Sequence, residues 1–377
     1  MNPAEMNLVS WMREMALPFW ASRGVDSKHG GFVEELQSDG SPSDPGFKRV
    51  RVQGRQLFSF ATAALLEWHP DAAAISKLGF DFIQRRCRNG EGAWAQRLKT
   101  DGSILDGEMD LYDTAFIVLG LSTYFRLTRD PDALRLLGST LDQVKTTLSA
   151  PGGRGYFQST RDLDLLRQNP HMHWFEAMLY AFEATGDDRF LREAGQIYQL
   201  AQDHFIDPKT GALRELFDKN WNPVEEGGRI LVEPGHHYEW AWLLWKAGQR
   251  TAVDPRLGES LLGFADRHGV NPATGLVYDQ VSDQGELTQP THRLWVQTEF
   301  LKAWLVRGGQ DESRRVEQIR RIETNLLKYY LDREPLGSWG DRLDSKGRLQ
   351  KGPVPASSMY HIMVAVTELS AWRSAKK

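Results

Sequence analysis

The residues best suited to chemistry in this sequence are histidines near the start of apolar segments of helical length. Five of the ten histidines stand at such positions. The unperturbed pKa of histidine lies near neutrality, so it can accept and donate protons at physiological pH. A single histidine there is usually a capping or hydrogen-bonded core residue, but recurrence across three segments favours proton-transfer chemistry. These residues are His171, His173, His236, His237 and His361.

Charged side chains share this position along the chain. Glu176 and Glu239 each follow a histidine, His173 and His236, by three residues, which is about one helical turn. An adjacent carboxylate raises the pKa of a histidine and fixes its tautomer. Arg55 can stabilise developing negative charge without exchanging a proton. Further polar or aromatic residues here are Tyr112, Asp113, Asn169, Trp295, Glu299 and Tyr360.

A repeat of about sixty residues supplies the elements that must position these side chains. Glycine-rich turns at 30, 92, 155, 211, 275 and 337 begin motifs such as GGFVEELQSDGS and GAWAQRLKTDGS. Each motif predicts a short hairpin or irregular loop. An apolar segment follows each one, which is typical of a buried helix. These segments are 52–68, 112–127, 173–186, 237–249, 294–308 and 360–372.

More polar, amphipathic segments alternate with the apolar ones, at 8–20, 71–87, 131–148, 188–205, 254–268 and 314–331. Six helix pairs of this kind predict an all-α fold, an (α/α)6 barrel of six inner and six outer helices. The alternative is an open solenoid of helix pairs. In the barrel, the loops before the inner helices gather over one end, where the polar residues would meet. We expect residues 1–377 to form one catalytic domain.

Composition excludes several classes of function. The 377 residues carry a net charge of −4 without a basic cluster, so no nucleic acid partner is expected. No apolar run of membrane-spanning length occurs, and the N-terminus does not resemble a signal peptide. Cys87 is the single cysteine, which excludes an internal disulfide and is compatible with a reducing cytoplasm. We therefore predict a cytoplasmic protein; a homodimer is left open.

Five short motifs in order resemble the N-acylglucosamine 2-epimerase superfamily. They are KRVRVQGRQLFSF, NPHMHWFEA, EPGHHYEWAWLL, LWVQTEF and the final YH, and the similarity spans about 30 to 365. The resemblance implies an (α/α)6 barrel that acts on sugars. Arg55 then corresponds to the family's active-site arginine, His173 to its ring-side histidine, and His236 and His361 to its catalytic histidines. We expect the substrate pocket to include Tyr112, Asp113, Asn169, Glu176, Glu239, Trp295 and Glu299.

The predicted activity is the interconversion of an aldose and a ketose, mannose to fructose being favoured, through an enediolate of the open-chain sugar. A 2-epimerase of N-acetylglucosamine or of glucose and mannose is the first alternative, and sequence does not decide between them. A glycoside hydrolase using Asp113 and Glu299 is the second. Lys48 and Arg51 suggest an anionic sugar, although solvated surface charge is favoured for them.

The sequence motifs do not indicate a cofactor site. His-x-His and the nearby glutamates would suit zinc or manganese, but the compact H-E-x-x-H signature does not occur. No glycine-rich phosphate loop is found either. We therefore predict that the enzyme uses no metal and no other cofactor, and that its partner is a small sugar substrate. The segment GPVPASSMYH differs from that of cellobiose epimerases, which counts against a disaccharide.

Overall fold

The structure is a computed structural model that describes residues 6–309 and 311–376. Residues 1–5, 310 and 377 lie outside the described part, and the single catalytic domain over 1–377 stays a prediction. Helices alternate between an outer and an inner set along the whole described chain. The outer set comprises α1 (Leu8–Trp11), α2 (Leu17–Arg23), α4 (Ala72–Arg86), α6 (Pro131–Thr147), α8 (Asp188–Leu200), α10 (Pro255–His268) and α12 (Glu312–Leu326).

The inner set comprises α3 (Val50–Leu65), α5 (Leu111–Thr128), α7 (Gln168–Thr185), α9 (Pro234–Gly248), α11 (Leu294–Val306) and α13 (Ser358–Ser374). Short π-helical turns join α1 to α2 and extend α8 and α12; they span Met12–Ala16, Ala201–Phe205 and Leu327–Leu331. The predicted all-α barrel of six helix pairs is confirmed. Among the described residues, no helix has the length and apolar character needed to span a bilayer.

Burial explains the two kinds of helix. Along α8 the buried residues Phe190, Ala194, Ile197 and Leu200 recur every three or four positions, so one stripe faces the barrel and the rest faces water. Along α5 the residues from Thr114 to Phe125 are buried without interruption, because its neighbours surround it. The alternation of amphipathic and apolar segments therefore reflects the two layers.

Short antiparallel strand pairs close the barrel. The sequence alone had not decided between a closed barrel and an open solenoid. The strands are β1 (Glu35–Leu36), β2 (Phe47–Arg49), β3 (Arg97–Lys99), β4 (Ile104–Asp106), β5 (Leu166–Arg167), β6 (Leu216–Phe217), β7 (Leu231–Val232), β8 (Gln280–Ser282), β9 (Leu287–Gln289), β10 (His292–Arg293), β11 (Arg342–Leu343) and β12 (Val354–Pro355). Each of β2–β3, β5–β6, β7–β8 and β10–β11 joins neighbouring repeats. The pair β1–β12 joins the first repeat to the last and completes the ring.

Close contact between α3 and α5 depends on glycine. A Cβ atom on Gly54 would lie 2.4 Å from the Phe116 carbonyl oxygen, and one on Gly120 would lie 2.6 Å from the Gly54 carbonyl oxygen. Only glycine at both positions lets the two backbones approach this closely. The close contact brings Arg55, next to Gly54, against the first turns of α5.

Candidate functional site

A cavity of about 370 Å³ opens at the end of the barrel where the inner helices begin. Eight of the predicted site residues line it, and together they come from all six inner helices. This volume is within the range of small-molecule sites. The eight residues are Arg55, Tyr112, Asn169, His173, His236, Glu239, Trp295 and His361.

Three predicted pocket residues lie outside the cavity lining. Asp113 Oδ1 accepts a hydrogen bond from Arg51 Nη1 at 2.9 Å and is fully buried by the helices around it. Glu176 and Glu299 lie one layer deeper, behind His173 and His361. The expectation that these three line the pocket is therefore corrected, since each carboxylate contacts another side chain instead.

His361 is paired with a carboxylate through one ring nitrogen. Its Nδ1 lies 2.9 Å from Glu299 Oε1. Burial lowers the pKa of His361 well below its ordinary value, and the positive charges of Arg55 and Lys302 lower it further. The imidazole is consequently neutral at pH 7. When Glu299 is ionised, it accepts the Nδ1–H of His361, and Nε2 is then the unprotonated nitrogen, which is the state required of a general base.

His236 has the opposite protonation state. Its Nδ1 lies 2.9 Å from Glu215 Oε1, and Gln168 Nε2 donates to Glu215 Oε2 at 2.7 Å. Burial lowers the pKa of His236, but the Glu215 carboxylate outweighs burial and raises it to about 9. His236 is therefore an imidazolium at pH 7. Its ring and that of His361 both contact the Trp295 indole, with centroid distances of 5.1 and 5.6 Å.

The partner of His236 is a residue that the sequence analysis missed. Glu239 was expected to pair with it; instead Glu239 Oε1 lies 4.0 Å from His173 Nδ1. Glu215 comes from the loop before α9, in the motif GALRE. A signal was present, because acidic or amide residues occupy the same place in the other loops: Glu34, Gln96, Gln158, Asp279 and Asp341.

These loop residues contact the segments that lead into the inner helices. Glu34 accepts from the Arg49 backbone N–H, Asp279 from that of Arg293, and Asp341 from the Ser358 hydroxyl. Within this set, Glu215 is the residue whose carboxylate contacts a histidine, His236. The loop position thus has a structural function in several repeats and an electrostatic one in the fourth.

We expect Glu215→Gln to lose activity at a lower alkaline pH than the unaltered enzyme. The carboxylate raises the pKa of His236 to about 9, so its removal lets burial bring that pKa down. If His236 is used as an acid, the alkaline limb of kcat/KM, near pH 9 in the unaltered enzyme, moves to lower pH. Glu225→Gln removes the same charge from an exposed position of the same loop and is the matched control. An unchanged alkaline limb in Glu215→Gln would contradict the assignment.

Two of the five candidate histidines do not face the cavity. His171 Nε2 accepts the Tyr156 backbone N–H at 2.9 Å, and His237 Nε2 accepts that of Leu213 at 2.9 Å. Burial lowers the pKa of each to about 4. Gln53 and Gln297 hold Phe32 and Val277 in the same way, so this position anchors the loop motif and its histidines are structural.

Arg55 is held rigidly at the edge of the cavity. Its Nη2 donates to the Tyr112 hydroxyl at 2.8 Å, and its Nη1 donates to the Ser357 carbonyl at 3.2 Å. The guanidinium carbon lies 3.9 Å from the centre of the Phe116 ring. A planar cation fixed in this way is already oriented toward negative charge that develops in the cavity.

Below the cavity lies a cluster of buried carboxylates. Two groups of three side chains have their potential metal-ligand atoms within 4.8 Å of one another. One group is His173, Glu176 and Glu239, and the other is Glu239, Glu299 and His361. Such spacing also suits a metal ion, but Lys302 already provides positive charge there, its Nζ being 2.5 Å from Glu299 Oε2. We therefore interpret these groups as a buried cluster of paired charges. The absence of a metal requirement stays a prediction.

Three arginines at the cavity mouth each have a carboxylate nearby. Arg49 pairs with Glu34, and Arg293 lies 2.6 Å from Glu233 and 3.2 Å from Asp279. Arg342 lies 3.7 Å from the same Asp279. The two residues that suggested an anionic substrate point elsewhere. Lys48 Nζ lies 2.7 Å from Asp26, and Arg51 is bound to Asp113, so neither is among the residues that line the cavity.

Comparisons with known proteins agree with this geometry. Residues 30–365 match the profile of the N-acylglucosamine 2-epimerase family. A mannose-6-phosphate isomerase of Rhizobium meliloti (strain 1021) is 34% identical over 374 residues, covering 96% of this chain and 95% of its own. A crystal structure of a D-mannose isomerase has a TM-score of 0.85 at 22% identity, covering 96% and 97% of the two chains. A cellobiose 2-epimerase from Spirochaeta thermophila DSM 6192 has a TM-score of 0.88 at 20% identity, covering 98% and 96%.

Proposed function

Because this chain belongs to the N-acylglucosamine 2-epimerase family of sugar isomerases and epimerases, we propose that it interconverts mannose and fructose. The observation that carries the proposal is the opposite protonation state of two histidines that line one cavity. A neutral His361 and a charged His236 contact the same indole ring. Environments that separate two pKa values in this way distinguish an acid from a base.

In the proposed reaction, His361 Nε2 removes the C2 proton of the open-chain aldose. The electrons of that C–H bond form the enediolate, whose oxygen charge is stabilised by Arg55. His236 donates a proton to the C1 oxygen, giving the enediol. His361 then delivers a proton, which can exchange with water, to C1, and the C2 hydroxyl gives its proton back to His236, leaving the ketone at C2. His173 and Asn169 contact sugar hydroxyls. No metal or other cofactor takes part.

Mouth charge supports a neutral sugar over a phosphorylated one. Arg49 and Arg293 are paired with carboxylates, and Arg342 shares Asp279 with Arg293, so an incoming phosphate would compete with those partners. The relative from Rhizobium meliloti is named for mannose 6-phosphate, and that substrate is therefore the direct comparison. We expect kcat/KM to be higher for mannose than for mannose 6-phosphate.

One observation favours the alternative, a 2-epimerase. Two histidines that line the cavity, His236 and His361, come from different helices, α9 and α13. Epimerisation returns the proton to C2 from the opposite face, which requires two groups. A glycoside hydrolase is less well supported, because neither of its proposed carboxylates, Asp113 and Glu299, is among the cavity-lining residues.

Incubation in heavy water with EDTA tests the proposal. We expect mannose to yield fructose that carries deuterium from the solvent, in amounts that EDTA does not reduce. Deuterated glucose without fructose would assign the epimerase. Failure to incorporate deuterium into mannose, mannose 6-phosphate, glucose or N-acetylglucosamine would overturn the proton-transfer chemistry itself. Parallel reactions with mannose and its 6-phosphate decide the charge of the substrate.

A further inference from the structure

Lys302 is a fully buried lysine in an inner helix, and the reaction proposed above does not use it. Its side chain has no exposed surface, and its Nζ lies 2.5 Å from Glu299 Oε2. The other oxygen of the same carboxylate lies 2.9 Å from His361 Nδ1. Ammonium, carboxylate and imidazole thus form a continuous chain that ends at the cavity.

We propose that Lys302 is a positioning residue for the reaction. Its ammonium favours the ionised form of Glu299, and the ionised carboxylate orients His361 with its unprotonated Nε2 toward the cavity. The proposal rests on the proposed function of His361 as a base. Lys302 does not touch the substrate, and its effect reaches the cavity through Glu299.

The charge balance of the cluster shows why a cation is needed. Glu176, Glu239 and Glu299 converge from α7, α9 and α11, and neither oxygen of Glu239 has a hydrogen-bond partner among the described residues. Lys302 is the cation that contacts this group, and the Trp242 ring lies 3.8 Å from its Nζ on another side. The titratable or charged groups around it are Arg55, His173, Glu176, Glu239, Glu299, Tyr360, His361 and Glu368.

Electrostatics support this function for the ammonium. Burial and the neighbouring Glu239 together raise the pKa of Glu299 well above its ordinary value, and the charge of Lys302 opposes this rise. Without the ammonium, the pKa of Glu299 would rise further, which favours the protonated carboxyl group. A protonated Glu299 would donate that proton to His361 Nδ1, and the proton of the neutral imidazole would then reside on Nε2. The nitrogen that faces the sugar would no longer accept a proton from C2.

Lys302→Met tests the proposal by removing the charge while keeping an apolar chain of similar length. We expect kcat to fall by about 10–100-fold, as for other residues that orient a functional histidine, with KM within about twofold. The acid limb of kcat/KM should move to higher pH, because loss of the cation raises the pKa of His361. Lys246→Met is the matched control, since Lys246 contacts the same Trp242 ring at 6.0 Å but pairs with Glu183.

A wild-type acid limb and kcat in folded Lys302→Met would overturn the proposal. A shift of equal size in Lys246→Met would overturn it as well, because loss of any nearby charge would then suffice.

Nitrogen-15 spectra of histidine give a readout that needs no substrate, with the His361 signals assigned from a His361→Asn sample. We expect wild-type His361 at pH 7 to be neutral with its proton on Nδ1, and Lys302→Met to move that proton to Nε2 or to add a second one. If the variant does not fold, the wild-type spectrum decides: an Nε2-protonated or doubly protonated His361 overturns the proposal. The spectra remain valid if no sugar is turned over, so failure of the proposed function is recognised separately.

Discussion

Replacement of His361 by asparagine is expected to lower kcat/KM for the sugar by about 10²–10⁴-fold, the usual contribution of general acid–base catalysis. Asparagine can still hydrogen-bond to Glu299 but cannot accept a proton from carbon. The loss should fall on kcat, because the remaining side chains that line the cavity are unchanged. Steady-state kinetics and the rate of deuterium exchange at C2 in heavy water are the two measurements.

His171→Gln is the control for this variant. It also replaces a buried histidine at the start of an inner helix, but His171 binds the Tyr156 backbone instead of facing the cavity. Glutamine performs this task at Gln53 and Gln297, so the control should fold and retain kcat. If His361→Asn kept a tenth or more of the wild-type exchange rate, His361 would not be the base.

The helices were predictable because the residue composition of each segment indicates how deeply its helix is buried. A segment enclosed on all sides must be apolar, as around Phe116 in α5, and one that faces water must alternate, as around Phe190 in α8. The predicted segments match the observed helices to within a few residues at most ends, and the chief exception is α7. This helix begins at Gln168 and not at 173, because Asn169 and Pro170 are helical here although neither favours a helix interior.

The site was predictable at the level of which residues meet, and less so at the level of how they pair. Arg55, His173 and His361 were identified, but the partner of His236 was assigned by helical spacing to Glu239. The actual partner, Glu215, lies in a loop whose path depends on the pairing of β5 with β6. Such a path is set by tertiary contacts, and one sequence does not reveal it.

The same limit explains why His171 and His237 were grouped with the histidines that line the cavity. Residue type suggested chemistry, whereas the glutamines at the equivalent places, Gln53 and Gln297, show that this position anchors a loop. Lys302 carried a visible signal, a lysine inside the apolar helix LWVQTEFLKAWLV. A buried charge requires a partner, and Glu299 three residues earlier was the obvious one.

Replacement of Arg55 by lysine is expected to lower kcat by about 10²–10³-fold, the usual cost of removing a group that stabilises an oxyanion. Lysine keeps the positive charge but cannot donate to Tyr112 and Ser357 at once while lying over the face of the Phe116 ring. The ammonium would therefore not be held where the enediolate oxygen forms. KM should change much less than kcat, because the charge is needed in the transition state more than in the ground state.

Arg51→Lys is the matched control for Arg55→Lys, one turn earlier on the same helix. Arg51 pairs with Asp113 and is not among the residues that line the cavity, so kcat should be retained. Addition of guanidinium ions to an Arg55→Ala variant should restore part of its rate, since a free planar cation can occupy the vacated space beside Phe116. Equal losses in Arg51→Lys and Arg55→Lys would show that helix packing, and not charge stabilisation, explains the effect. A loss confined to Arg55, with guanidinium rescue, would place the developing negative charge next to this side chain.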